Sequence, residues 1–332
     1  MLLNDLDKFK AELTPVDLLI PGPDTERDRK KRDLPPHMTN RMVSIVGVKT
    51  AQSRFLAVSH EGESNETYVD KVELVNKVRA EFIARKMKGT ERRAAMRLFR
   101  QLAEEHSRDT NANESWEEIF NRWFGTTQPC RVPNALCTRC WNDSLFGSLE
   151  AGRGATFTRV RYFDTYSLQD ATECVASTSS EEGMAIGNTV DEDLKYDRGS
   201  ASLHYYEYIK AGTHFPFITV IESPTLLDVS GILNAVSAAD LRGYGKYSAN
   251  SGKFSTEILA VSTGLPKFSV LDMLRWADTD GGVSAIQDRV ATSLETSFED
   301  HVREAVTLDS TTAEGLKADV REAFNEYATR LG

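Results

Sequence analysis

The run Met42-Val-Ser-Ile-Val-Gly-Val48 is a block of β-branched residues typical of a buried strand. A strand of this kind obliges the chain to build a sheet around it, and the text that follows supplies β-rich runs separated by single helices. Arg54-Phe-Leu-Ala-Val58 reads as a second strand or hairpin arm. Val69, Val72, Val75 and Val78 recur at helical spacing, which predicts a helix over Tyr68 to Val78 despite the unfavourable valines. Phe82 to Lys88 reads as a strand, and Gly89-Thr90-Glu91 as the entry to a helix over Arg92 to Glu105 with Ala95, Leu98, Phe99 and Leu102 on its apolar stripe. A shorter helix holds Trp116, Ile119, Phe120 and Trp123.

Phe157 to Leu168 interleaves Thr158, Val160, Tyr162 and Phe163 with Arg159 and Arg161, predicting a strand with a basic face. Leu203 to Ile209, His214 to Glu222 and Thr256 to Ser262 are strand-like, and Pro224 to Leu241 is helical. The chain closes with Ser269 to Ala277 and two amphipathic helices, Val283 to Val306 and Thr312 to Leu331. This order is α+β and permits a ferredoxin-like sheet, the fold of the RNA recognition motif, carrying large insertions. Between Pro21 and Pro36 the chain is proline-rich and charged and reads as a flexible arm; Ala171 to Ser202 is polar and long for a loop, which points to a functional insertion.

With 332 residues and a hydrophobic share of 40%, the chain is long enough for a real core. No apolar run reaches the roughly 18 to 20 residues of a spanning helix, and Met1 to Lys10 lacks the pattern of a secretory signal, so a cytoplasmic address and no membrane partner are expected. A net charge of -10 argues against a nucleic-acid partner when read as an average. The average hides an uneven distribution: from Lys77 to Arg108 ten cations stand against four glutamates. Within that window Arg85, Lys86 and Lys88 precede Arg92 and Arg93, which open the predicted helix where backbone N–H groups also favour a phosphate. Arg242-Gly243-Tyr244-Gly245-Lys246 is a second candidate: the glycines admit close backbone approach, the cations pair with phosphate and the tyrosine stacks on a base. A helix stop followed by a surface turn explains the same residues equally simply.

Cys130, Cys137 and Cys140 crowd into eleven residues, and a Cys-x2-Cys pair with a third cysteine folded back over it suits one structural zinc. The fourth ligand is left open among Asp143, Cys174 and a distant histidine. No P-loop, Gly-x-Ser-x-Gly, His-Glu-x-x-His or dinucleotide-binding glycine pattern is present, so catalysis is not expected. The acidic cluster Asp191-Glu192-Asp193 reads as a solvated loop.

Several pieces in order resemble the type I-D CRISPR backbone subunit of the RAMP superfamily: Arg85-Lys-x4-Glu-Arg-x5-Leu-x-Arg-x-Leu102, the cysteine segment closing on Leu145-Phe-Gly147, Val160 to Leu168, His214-Phe-Pro-Phe217, and the helix ending in Arg242-Gly-Tyr-Gly245. The resemblance spans about residues 41–277. It implies a modified RNA-recognition fold whose copies polymerise along CRISPR RNA (crRNA) together with other subunits of the complex, presenting the guide to a target nucleic acid without catalysis. On that footing, residues 1–40 are an arm, 41–277 a core with a cysteine knuckle at about 128–147 and a thumb within 171–202, and 278–332 the C-terminal helices. Lys49, Arg54, Arg85, Lys86, Lys88, Arg92, Arg93, Arg159, Arg161, Arg242, Gly243, Tyr244, Gly245 and Lys246 become the candidate guide contacts, and Cys130, Cys137, Cys140 and Asp143 the candidate zinc ligands. The family tends to carry a further cysteine where Asp143 stands here. A related RNA-cleaving subunit, with Asp191 or Asp193 as its loop aspartate, and a zinc-dependent enzyme centred near Cys137 are the alternatives.

Overall fold

The computed structural model describes residues 13–16, 39–57, 66–110, 112–125, 130–132, 135–151, 154–177, 205–245, 250–297, 306–307 and 310–331. In chain order its elements are β1 (Met42–Ala51), β2 (Glu66–Thr67), β3 (Lys71–Leu74), β4 (Lys77–Phe82), α1 (Ala84–Asp109), α2 (Trp116–Phe124), α3 (Trp141–Phe146), β5 (Ser148–Glu150), β6 (Gly154–Thr156), β7 (Val160–Tyr162) and β8 (Thr165–Tyr166). There follow α4 (Ala171–Cys174), β9 (Val175–Ser177), β10 (Tyr205–Ile209), β11 (His214–Glu222), α5 (Leu226–Arg242), β12 (Phe254–Thr263), α6 (Val270–Asp280), α7 (Val283–Ser297), β13 (Val306–Thr307) and α8 (Ser310–Leu331).

The β-branched run forms β1, at the centre of a five-stranded sheet of order β13-β12-β1-β11-β7. All pairings in this sheet are antiparallel. Taking β1, α1, β7, β11, α5 and β12 in sequence gives β-α-β-β-α-β with the four strands ordered fourth, first, third, second, which is the ferredoxin-like arrangement. The expected α+β class holds.

One face of the sheet, through Val43, Ile45, Phe217, Ile221, Ile258 and Val261, packs on Ala95 and Phe99 of α1, Ile232 and Val236 of α5, and Phe324 of α8. The opposite face, through Val46, Val48, Ile218, Val220 and Leu259, lies under Met273 and Leu274 of α6 and Ile286 and Val290 of α7. The register of β1 against β12 shifts at Val46/Gly47. A Cβ at Gly47 would lie 2.4 Å from the Glu257 carbonyl and 2.7 Å from the Phe217 ring, so the bulge requires glycine.

Four expectations are corrected. Tyr68 to Val78 is not helical: Lys71–Leu74 and Lys77–Phe82 pair antiparallel across a turn in which Val75 and Asn76 take positive φ. The alternation of Val72 with charged neighbours was the stronger signal, and β-branched residues favour strand. Phe82 to Lys88 is not a strand: β4 ends at Phe82 and α1 begins at Ala84, so Gly89 lies inside a 26-residue helix. Of the expected strand Arg54 to Val58, the described residues 54–57 form no extended strand, only a bridge from Phe55 to Ile209. Phe157 to Leu168 divides into β7 and β8. Most of the arm and residues 178–204, including Asp191 and Asp193, fall outside the described residues.

The fold buries a complete ion pair. Arg159 and Asp228 are both solvent-free and meet through Nη1–Oδ2 at 2.7 Å and Nη2–Oδ1 at 3.1 Å. Arg159 also donates to the carbonyls of Ser144 and Ser223, and Asp228 accepts from Trp141 Nε1 at 2.8 Å. Removing one partner leaves a buried unpaired charge. Arg159→Leu should therefore lower unfolding free energy by about 3–5 kcal/mol in urea titration, whereas Arg161→Leu, two residues on and exposed, should change it by less than about 1 kcal/mol.

Candidate nucleic-acid interface and metal centre

The arginines of α1 divide by what their side chains meet. Arg92 and Arg100, two turns apart, face the cysteine segment: Arg92 Nη2 bonds Asp143 Oδ1 at 2.7 Å and its Nε bonds Asn142 Oδ1, while Arg100 donates to the Cys130 carbonyl at 2.6 Å. Arg85, Arg93 and Arg97 are exposed, at spacings of eight and four along one i,i+4 row of the helix. Among the described residues none of these three meets a carboxylate within ion-pair distance. Partial burial and the neighbouring Arg97 hold the Arg93 guanidinium below its ordinary value. The outer face of α1 is thus a row of cations without local counter-charge. Lys86 and Lys88 are half-buried at its start, and Lys88 Nζ donates to Thr158 Oγ1 at 2.8 Å.

The remaining candidate contacts separate by burial. Arg54 is exposed, its guanidinium 5.6 Å from the Tyr208 ring centroid. Arg161 is exposed and pairs with Glu222 at 2.6 Å, and Arg242 is exposed at the end of α5. Lys49, Arg159 and Tyr244 are corrected, since all three side chains are buried and cannot reach a ligand. Lys49 Nζ lies 3.4 Å from Glu91 and Asp240 and bonds Tyr244 Oη at 3.0 Å and Thr256 Oγ1 at 3.1 Å. Burial, with the charges of Glu91 and Asp240, pushes the Tyr244 hydroxyl well above the usual phenol range, and it donates to Glu91 at 2.8 Å. An alternating basic pattern cannot distinguish an arginine on the open side of a strand from one that anchors a core. Lys246 lies outside the described residues.

Gly243 and Gly245 have φ of 94° and 77°. A Cβ at Gly245 would sit 2.3 Å from the Leu56 carbonyl, so this glycine serves packing of the turn against the core.

The structure brings Cys130, Cys137, Cys140 and Asp143 together, their ligand atoms all within 4.8 Å of one another and all four residues buried. A tetrahedron of 2.3 Å zinc–sulfur bonds has edges of about 3.8 Å, so the cluster closes on a metal with small adjustments. The backbone is shaped for it. Thr138 takes φ +61°, turning the N–H groups of Arg139 and Cys140 onto Cys137 Sγ at 3.3 and 3.2 Å, and the N–H of Cys137 points to Cys130 Sγ at 3.4 Å. Asp143 Oδ2 faces the sulfurs of Cys130 and Cys137 and accepts from Thr138 N–H at 2.8 Å, while its Oδ1 takes Arg92. Burial pushes the Cys137 and Cys140 thiols well up, and burial with the Cys130 charge raises Asp143 to about 6. Hydrogen bonds from Cys137 and Cys140 draw Cys130 down to about 3. Four such acids in one dry site need a cation to ionise together. Cys174 packs in a different cluster, with Phe55, Phe82 and Phe215, and is not a fourth ligand.

Arg97 and Arg100 stood in the basic window but not among the candidate contacts. The signal for Arg97 was the four-residue spacing of Arg85, Gly89, Arg93 and Arg97, which becomes visible only once the helix is started at Ala84.

A family model described as Csc2 CRISPR matches residues 31–325. Among solved structures, the crystal structure of Csc2 from Thermofilum pendens aligns with a TM-score of 0.61 at 14% identity, covering 100% of this chain and 94% of that one. A chain from a CRISPR RNA-guided surveillance complex, pre-nicking, aligns with a TM-score of 0.49 at 14% identity over 85% of this chain and 100% of its own. No curated protein matches. Among the described residues no helix is long and apolar enough to cross a membrane.

If the glycine turn is a packing element, Gly245→Ala should cost about 1–3 kcal/mol through overpacking. Gly89→Ala, with open space around it in α1, should stabilise by roughly 0.5–1 kcal/mol. Thermal unfolding of the two variants gives opposite shifts.

Proposed function

Because the chain belongs to the Csc2 CRISPR family, we propose that it is a non-catalytic backbone subunit of a type I-D surveillance complex that holds crRNA by its phosphates. The observation that carries this reading is the outward row Arg85, Arg93 and Arg97, unbalanced by acids in a protein of net charge -10. Cations left side by side on one helix face match a polyanion, and neutralising phosphates releases counterions from it. Arg54, Lys86, Lys88, Arg161 and Arg242 are the further contacts of the guide. The thumb set between neighbouring copies is drawn from residues 178–202, since 171–177 form α4 and β9 against the core, and a target nucleic acid pairs with the bases the guide presents.

The cysteine cluster has the role of a structural zinc site. Cys130, Cys137, Cys140 and Asp143 supply four ligands, which fills the tetrahedral preference of zinc and leaves no open position for a substrate. That count favours a structural role over the zinc-enzyme alternative. The metal would fix the knuckle against α1 through Asp143 and Arg92.

Two experiments test these readings. Arg85→Gln, Arg93→Gln and Arg97→Gln together should flatten the slope of log affinity against log salt for single-stranded RNA by about 2, at roughly 0.7 per lost contact. An unchanged slope would remove the row from the interface. For the metal, elemental analysis of natively purified protein should find one zinc per chain. Cys137→Ser should lose it, with faster amide exchange over residues 130–147 and protection retained in β1 and β11; metal-free native protein would refute the assignment.

A further inference from the structure

Phe157 is 81% exposed, yet the backbone on both sides of it is fixed. Before it, Thr156 Oγ1 donates to the Asp143 carbonyl at 3.0 Å and meets Ser148 Oγ at 2.7 Å. After it, the Thr158 hydroxyl is shared between the carbonyls of Val160 at 2.9 Å and Leu145 at 3.4 Å, and Arg159 N–H donates to Leu145 at 2.9 Å. Residues 156, 158 and 159 are therefore tied to the Asp143–Leu145 segment of α3. A large ring held in water on pinned backbone has no packing reason to be there. The next residue, Thr158, receives at its Oγ1 the ammonium of Lys88 at 2.8 Å, and among the described residues that ammonium has no carboxylate partner. Burial and the neighbouring Arg92 lower the Lys88 ammonium to about 8, so a cation is being held where only a neutral hydroxyl receives it. An anion at Lys88 relieves both penalties.

From this juxtaposition we propose that Lys88, Thr158 and Phe157 form a subsite for one nucleotide of single-stranded RNA. The Lys88 ammonium takes a backbone phosphate and the Phe157 ring stacks on the attached base. The proposal rests on the guide-binding reading and adds to it a place where a base, and not only its phosphate, touches the protein. Stacking of this kind is tolerant of sequence because every base has a π-face. It is therefore compatible with a subunit that accepts any guide.

The test uses the full chain, an oligouridine RNA, and an abasic ribose-phosphate oligomer of the same length, each titrated at several salt concentrations. Phe157→Ala should weaken oligouridine binding roughly 5- to 100-fold, the range of one lost base–aromatic stack, with the salt slope unchanged. It should leave the abasic oligomer unaffected, and Phe157→Trp should retain full affinity for oligouridine. Lys88→Gln should flatten the slope by about 0.7 on both oligomers. Thermal unfolding of all three variants should match the parent, since neither side chain is in the core. Wild-type binding that Phe157→Ala leaves intact overturns the subsite while the guide-binding reading stands. Equal losses on both oligomers, or a loss of association between copies with RNA affinity kept, also overturn it, by making Phe157 a scaffold or protein contact. Failure of the wild-type chain to bind either oligomer sinks the guide-binding reading itself.

Discussion

A single lysine on the central strand sets how the helical layer sits on the sheet. Lys49 of β1 places its ammonium between Glu91 of α1 and Asp240 of α5, and reaches Tyr244 and Thr256 as well. Glu91 is in turn held by the hydroxyls of Tyr244 at 2.8 Å and Tyr162 at 2.6 Å. Every member is buried or nearly so, and a charge buried this way survives only if its partners are all in position. Apolar packing holds α1 and α5 on the sheet, and the network adds a directional constraint to it. The network makes one register of both helices much better than its neighbours. Since α1 carries both the outward cations and the two arginines that face the knuckle, that register also decides which residues meet solvent.

The sequence was most legible where burial leaves a simple pattern. β1 and β11 are continuous apolar runs between layers on both faces, and α5, α6 and α8 lie where helices were expected; their limits lay within three residues of those expected. Legibility failed at the start of α1. Glycine after Lys88 suggested a boundary, but a glycine inside a 26-residue helix costs only about 1 kcal/mol against alanine, and the packing of Met87, Ala94, Ala95 and Phe99 outweighs it. The cysteine ligands were readable because their chemistry limits their spacing. Which arginines point outward was not readable, because Arg159 and Arg161 look alike in sequence while one pairs with Asp228 in the core and the other with Glu222 at the rim.

Exposed charges and buried charges play separate parts in this acidic protein. The buried ones, Lys49, Arg79 and Arg159, are matched by carboxylates or carbonyls and add nothing to an external field. Removing these neutralised pairs leaves a surface that is still net acidic, against which the row along α1 stands out. On the proposed reading, an anionic ligand would be drawn to this face by its cations, which sets orientation as well as affinity. The knuckle contributes to this sorting: Arg92 is turned inward by Asp143, so the outer row is made only of residues free to meet a ligand.

The sheet itself constrains where a nucleic acid can lie. In an RNA recognition motif the face opposite the helices is open and its aromatic residues stack the bases. Here α6 and α7 cover that face over β1, β11 and β12, filling it with Met273, Leu274, Ile286 and Val290. Residues on β7, the edge strand, and on the segments around it stay outside that cover: Arg161 and Phe163 are exposed, as is Phe157 just before the strand. This edge offers exposed aromatic surface, and Lys88 at the start of α1 reaches Thr158 next to Phe157. The ferredoxin-like arrangement thus persists while its usual binding surface is closed, and the additions that closed it leave the β7 edge and the outer face of α1 as the accessible ground.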